Sequence, residues 1–288
     1  MTNNTTRQIV AGLRKEWCFF WKKYCFLAMV AIFIGCALLF PALAGMVQLM
    51  SDSVDFVLEE MPELDDGTLS ALNNLGTLAD MYTLELTFTG TIGMFQSAVI
   101  LVMVLLIGTA GAEQKKRSII MPQTAGLTPA GYVLPKFILY PPMIFAATVV
   151  STFLSNAASG AVFREAYSAD TVFFAGSIAG LFAAFSVCFY LFLGISLVQP
   201  GLSVLYVTGA NIVFSGLITL AFRIDRFTPW NLADMAAFLP VEDSPVGTNI
   251  NAIIITMVIT LIMCVAFMLG TLFAMTAKQV DNTADEVY

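Results

Sequence analysis

Five long stretches of the sequence contain no charged residue. They cover residues 24–51, 86–112, 137–163, 171–222 and 244–277. Each is longer than the roughly 20 residues that cross a bilayer as an α-helix, and the fourth is long enough to cross twice. The chain is therefore predicted to fold as an all-α, polytopic membrane protein with six transmembrane helices.

The six predicted spans form a single transmembrane domain that covers residues 1–288. They are 26–47, 88–112, 137–158, 172–198, 202–222 and 252–275. An even number of crossings places both termini on the same side of the membrane. The function of the chain must therefore be sought in the spans and in the segments that connect them.

The basic residues predict the orientation. Ten of the 13 Lys and Arg residues fall on the side of the N-terminus: Arg7, Arg14, Lys15, Lys22, Lys23, Lys115, Lys116, Arg117, Lys136 and Lys278. Basic residues near helix ends are retained in the cytoplasm, so both termini are predicted to be cytoplasmic in a cell (plasma) membrane. The positive inner face suits anionic membrane lipids, and nothing in the charge pattern favours nucleic acid.

Composition excludes several classes of protein. Charged residues make up 11% of the chain, far below the roughly 25% of ordinary soluble domains. The chain has no His, and its five Cys residues lack the spacing of a metal site, so no metal is predicted. The predicted spans contain no Asp, Glu, Lys, Arg or His, which counts against proton-coupled transport. No catalytic motif and no phosphate-binding Gly-Lys loop is present, so the chain is not predicted to be an enzyme.

The N-terminal residues 7–24 predict an amphipathic helix that lies along the inner membrane interface. Apolar side chains recur at helical spacing among basic ones, at Ile9, Leu13, Trp17, Phe20 and Tyr24. The alternative is a basic flank with aromatic anchors.

Two outer segments separate the spans. Residues 49–86 carry nine of the twenty acidic residues. This segment is predicted to form either a site for cations or a solvated outer face. Residues 231–234 predict a short helix at the outer interface, ahead of the sixth span.

Uncharged polar and small residues recur on two spans. Asn211, Ser215 and Thr219 share one face of the fifth span, and they are the candidates for a substrate pathway. On the fourth span, small residues that allow close helix packing, within the bundle or between subunits, recur at Gly176, Gly180 and Ala184.

The inner loop, residues 113–136, is predicted to be an amphipathic, semi-rigid elbow. It opens with Glu113 and the basic run Lys115, Lys116 and Arg117, and it contains several helix-breaking residues. Such an elbow suits docking on a cytoplasmic partner. The alternative is a simple hairpin held inside by its positive charges.

This loop resembles the signature region of permease subunits of type-2 ATP-binding-cassette (ABC) exporters. The matching positions are Glu113, the Thr128-Pro129 pair, Val133-Leu134 and Lys136, whereas Ser118-Ile119 stands where these permeases commonly have Gly-Thr. The resemblance extends over essentially the whole chain, including the N-terminal helix, the six spans and the short turn at 199–201.

The resemblance implies that two permease chains, identical or not, assemble with two separate ABC ATPase subunits. This chain would bind no cofactor, and ATP and Mg would bind to the partner ATPase. The loop would couple the two proteins through Glu113, Lys115, Lys116, Arg117, Thr128, Pro129 and Lys136. The uncharged spans predict a hydrophobic or amphipathic cargo, such as a lipid, drug or peptide, exported from a bacterial cell.

Two other functions remain open from the sequence. The first is a gradient-driven transporter or channel, which would work without an ATPase. The second is a membrane scaffold or sensor whose acidic segment 49–86 binds a ligand and whose inner loop recruits a partner.

Overall fold

The computed structural model describes residues 2–60, 83–108, 126–221, 227–240 and 250–285. Every regular element in these ranges is helical. The helices are α1 (Thr2–Lys22), α2 (Cys25–Glu60), α3 (Leu84–Leu105), α4 (Pro129–Phe163), α5 (Ala169–Leu197), α6 (Pro200–Ala221), α7 (Leu232–Phe238) and α8 (Ile250–Asp285). Short 3-10 turns follow α3 at Leu106–Gly108 and precede α7 at Pro229–Asn231.

Five of the described helices are long and apolar enough to cross a membrane. The apolar stretches are Cys25–Met50, Leu84–Gly108, Pro129–Phe163, Ala169–Leu197 and Ile250–Ala277. The chain is therefore a multi-pass membrane protein. The fifth predicted span, 202–222, corresponds to α6, whose described apolar part, Pro200–Phe214, is shorter. A sixth crossing through α6 remains a prediction.

Three helices begin at hydroxyl residues that cap them. Thr83, Thr128 and Ser168 have extended backbones, and their side chains accept hydrogen bonds from amides three residues on. These bonds satisfy amides that have no partner inside the helix. At the other end, α4 and α5 stop at the left-handed residues Arg164 and Val198, which turn the chain out of the helix.

Helix α5 is the centre of the bundle, because it packs against α3, α4, α6, α7 and α8. Its most apolar stretch is 83% buried, compared with 22–44% for the other candidate spans. The faces of those spans that point away from the bundle carry large exposed apolar side chains, which suits contact with lipid.

Several helices extend beyond the predicted spans. Helix α2 continues to Glu60, into the predicted outer segment 49–86, and α8 continues to Asp285. Helix α4 begins at Pro129, so the last eight residues of the predicted loop 113–136 are helical. The reason is local, since Thr128 caps this helix and Pro129 suits its first position.

A short turn, residues 164–168, joins α4 to α5 at the end predicted to face outward. The amide of Asn156 donates to the carbonyl oxygen of Tyr167 at 3.1 Å and its oxygen accepts from the Tyr167 amide at 3.1 Å. The ring of Tyr167 packs edge-on against Phe88 at a centroid distance of 5.2 Å. Burial, with a smaller contribution from the Glu85 carboxylate, raises the pKa of Tyr167 to about 12.

Candidate functional site

The predicted coupling residues fall into two groups. Glu113, Lys115, Lys116 and Arg117 lie outside the described residues. Thr128, Pro129 and Lys136 lie in the first two turns of α4 or directly before them, where α1 packs alongside. The candidate site is therefore the contact between α1 and the inner end of α4.

Gln8 of α1 holds the start of α4. Its side-chain oxygen accepts hydrogen bonds from the backbone amide of Thr128 at 3.1 Å and from the Thr128 hydroxyl at 2.8 Å. Its side-chain amide donates to the carbonyl oxygen of Gly126 at 2.9 Å. Three bonds from one side chain thus fix the exit of the inner loop relative to α1.

One turn further along, glycine lets the two helices approach closely. A Cβ atom added to Gly12 would lie 2.5 Å from Cγ of Pro135 and 2.9 Å from the carbonyl oxygen of Gly131. A Cβ on Gly131 would likewise lie 3.0 Å from Cβ of Gln8. No larger residue fits at Gly12 without moving the backbone of α4.

A buried ionic network lies at the next turn. The ammonium of Lys136 donates to Oε1 of Glu16, and the hydroxyl of Tyr140 donates to Oε2 of Glu16 at 2.6 Å. The Lys136 ammonium also lies 4.8 Å from the centre of the Tyr132 ring. Both oxygens of the carboxylate therefore have a donor, and the cation faces an aromatic ring as well.

The network is closed off from its surroundings. Lys136 is 0% exposed, Tyr140 1% and Glu16 5%, and Phe20 covers the next turn by packing edge-on against Tyr140 at 5.7 Å. A charge pair taken out of water is stable only while both partners remain in place, because each alone is an uncompensated buried charge. The arrangement can therefore hold the two helices together while both charges are in place.

These contacts follow one row on α1 and run in the same direction along both helices. Gln8, Gly12, Glu16 and Phe20 recur every four residues, and their partners on α4 progress from Thr128 to Tyr140. Sequence reasoning missed Glu16 as a functional residue. The available signal was a single acid in a basic helix, at four-residue spacing from Gln8 and Phe20, but its partner lies 120 residues away.

Lys136 lies one residue before the predicted third span, 137–158. This residue lies in the candidate span Pro129–Phe163 and is fully buried. The reason is that the helix starts eight residues before the charge-free stretch 137–163. Because Lys136 is buried, it would act in coupling by positioning α4 rather than by touching a partner protein.

The face of α1 that packs on the bundle differs from the predicted apolar row. Trp17 is exposed, and Tyr24 lies outside the helix with a positive φ of 56°. Among the predicted row only Phe20 is buried in the core. Val10, Trp17 and Trp21 are exposed, and their contact with the membrane interface stays a prediction.

Of the three predicted pathway residues, only the side chain of Asn211 is described. Its amide donates to the hydroxyl of Ser186 on α5 at 3.2 Å, and its oxygen accepts from the indole of Trp230 at 3.1 Å. Asn211 therefore joins α5, α6 and the turn before α7. The side chains of Ser215 and Thr219 lie outside the described part, and a pathway along this face stays a prediction.

Helix α7, which was predicted to lie at the outer interface, packs between α3 and α5, and its depth in the membrane stays a prediction. Trp230, just before it, stacks on Phe214 at 4.4 Å and packs edge-on against Phe185 at 5.4 Å, near the middle of α5. Ala233 lines a small cavity together with Gln96, near the middle of α3. The physical reason is the composition of α7, whose buried residues are small or apolar and fill the space between α3 and α5.

The predicted small-residue row on α5 lies against α4 of the same chain. A Cβ added to Gly176 would lie 3.1 Å from Oγ1 of Thr152, and one on Gly180 would lie 3.1 Å from the carbonyl oxygen of Phe145. Ala184 is buried as well. These residues allow the backbones of α4 and α5 to come close.

No protein-family model matches the chain, and neither a curated protein nor a solved structure does so. The resemblance to ABC permeases therefore rests on the residues of the inner loop and on the order of the spans.

Proposed function

We propose that the chain is the membrane-spanning permease subunit of an ATP-driven ABC exporter with six spans and cytoplasmic termini. Separate ABC ATPase subunits would bind ATP and Mg, a second permease chain would complete the assembly, and the cargo would be a hydrophobic or amphipathic molecule. The chain itself would carry out no catalysis.

The observation that supports this proposal is the way in which the C-terminal end of the inner loop is held. Thr128 and Pro129, which belong to the resemblance, start a capped helix that Gln8 holds from a second helix. A passive hairpin needs no such support, whereas a loop that receives force from a partner needs a rigid exit. A displacement at this loop would thereby reach the bundle and bias its two conformations.

The test is purification of the tagged chain from its native membranes in mild detergent, with mass spectrometry of the proteins bound to it. We expect an ATPase with a phosphate-binding loop to co-purify. Replacing Lys115, Lys116 and Arg117 by Ala should weaken its binding.

The matched control removes three inner positive charges elsewhere, at Arg14, Lys22 and Lys23, all of which are exposed. It should retain the ATPase. Equal loss of the ATPase from both variants would show that positive charge in general, and not these three loop residues, holds it. Absence of any ATPase from the unaltered chain would overturn the proposal.

A gradient-driven transporter is the second candidate, and the buried Glu16–Lys136 pair favours it. Ionisable groups buried among spanning helices are typical of ion pathways. Purified chain in proteoliposomes would then move protons under an imposed potential without an ATPase, and Glu16→Gln would abolish that movement. Proton-tight vesicles would exclude this function.

A further inference from the structure

Helix α1 is joined almost rigidly to the first span. Only Lys23 and Tyr24 separate α1 from α2, and Tyr24 has a left-handed backbone. The turn is hydrogen-bonded on both sides, since the Tyr24 amide donates to the carbonyl oxygen of Trp21 at 3.1 Å and the Ala28 amide donates to that of Tyr24 at 2.9 Å. A shift of α1 will therefore be passed to the start of α2.

Along the chain, by contrast, α1 and α4 are far apart. The contacts that hold them together are all non-covalent and join residues 118 to 124 positions apart. Two sets of polar contacts are described, one at Gln8 next to the loop and one at Glu16 two turns further along. The second set is charged and buried, so the loss of one of its partners is costly.

We propose that the Glu16–Lys136–Tyr140 network is the link through which movement of the inner loop reaches α1. Glu16 is thus a positioning residue: it makes α1 and the first three turns of α4 move as one body. With the network intact, a displaced loop shifts α4 and α1 together. Without it, the same displacement moves α4, and α2 that packs directly against it, but not α1. This inference rests on the proposed function for the source of the movement, but the attachment of α1 does not depend on it.

The first experiment measures that attachment by hydrogen exchange of the α1 amides in lipid nanodiscs. The variant is Glu16→Leu combined with Lys136→Met, which removes both charges together and so leaves no unpaired buried ion. We expect the protection of α1 to be lost while that of α5 is kept. The swapped pair, Glu16→Lys with Lys136→Glu, should restore it. Unchanged protection of α1 in the charge-free pair would overturn the proposal whether or not an ATPase is found.

The second experiment follows movement in the complex with its ATPase. Two single-cysteine proteins are labelled with a fluorophore. In the first, exposed Cys18 on α1 is kept and the other four cysteines are replaced by Ala. In the second, all five cysteines are replaced by Ala and exposed Ile138 on α4 is changed to Cys. ATP, Mg and vanadate should change both signals in the otherwise unaltered protein. In the charge-free pair the α4 signal should persist and the Cys18 signal should be lost.

A Cys18 response that survives in the charge-free pair would overturn the link. The absence of a co-purifying ATPase would instead count against the proposed function, and the exchange experiment would then decide the inference alone.

Discussion

The two ends of α4 are held by different chemistry. At the inner end, Lys136 and Tyr140 bind a carboxylate on α1, more than a hundred residues away in sequence. At the outer end, Asn156 binds the backbone of Tyr167, only eleven residues away. Both clamps saturate their polar groups, but the inner one is ionic and long-range, whereas the outer one is neutral and local.

The difference between the ionic and the neutral contact indicates which end of α4 is suited to a conformational change. A neutral amide bonded to a nearby turn forms as soon as the turn forms, and its loss affects that turn alone. A buried ion pair between distant segments is strong when complete and costly when one member is missing. The outer clamp therefore suits a permanent corner, and the inner clamp suits a connection that transmits or releases movement.

The largest effect is expected from Lys136→Met, which leaves the Glu16 carboxylate buried without its cation. The loss should be about 3–5 kcal/mol of stability, measured by thermal denaturation in detergent. Adding Glu16→Leu removes that carboxylate and should recover the cost of the unpaired charge, but it should not restore the protection of α1 against hydrogen exchange. If the single variant is as stable as the unaltered protein, the inner clamp is not a buried ion pair.

Asn156→Ala tests the outer clamp. It leaves the amide and the carbonyl oxygen of Tyr167 without partners, which should cost about 1–3 kcal/mol. Hydrogen exchange should rise only in the turn 164–168, with α1 unaffected. Exchange that spreads to α1 would contradict the contrast between a local clamp and a long-range one.

Glycine substitutions compare the packing at the two ends. Gly12→Ala forces a Cβ against the backbone of α4 and should destabilise the protein by about 1–3 kcal/mol. Gly160→Ala places its Cβ 3.1 Å from Cβ of Ala166, a milder contact, and should cost less. Gly93→Ala is the control, since nothing lies within 4 Å of its added Cβ. Equal melting temperatures for Gly12→Ala and Gly160→Ala would show that the two ends of α4 are packed equally tightly.

The smallest effect concerns pH. Because the pKa of Tyr167 is raised to about 12, from an ordinary value of about 10, the folded state keeps this proton longer than the unfolded state. The resulting stabilisation is complete below pH 10 and is lost as the pH rises through 12. Melting temperatures measured across this range should therefore fall more steeply for the unaltered protein than for Tyr167→Phe. Parallel curves would show that the outer turn does not bury this hydroxyl.

The contrast also explains what the sequence could predict. Charge-free stretches located the five described candidate spans, because lipid contact demands apolar residues over a fixed length. The Thr128-Pro129 pair could be recognised from the sequence as a break before a new helix, because a proline at the start of a helix is a local signal. Glu16 was not found, because its function depends on Lys136 in another segment. The third span was predicted to begin at 137, whereas α4 begins at Pro129, since a helix can continue beyond the charge-free stretch.

The packed position of Trp230 and α7 also bears on how the protein is made. A seven-residue helix is too short to cross a bilayer by itself. It can occupy its place only after α3 and α5 have provided the walls of that place. Biogenesis must therefore proceed in two stages: the long helices enter the membrane first, and this short segment then folds inward to complete the bundle.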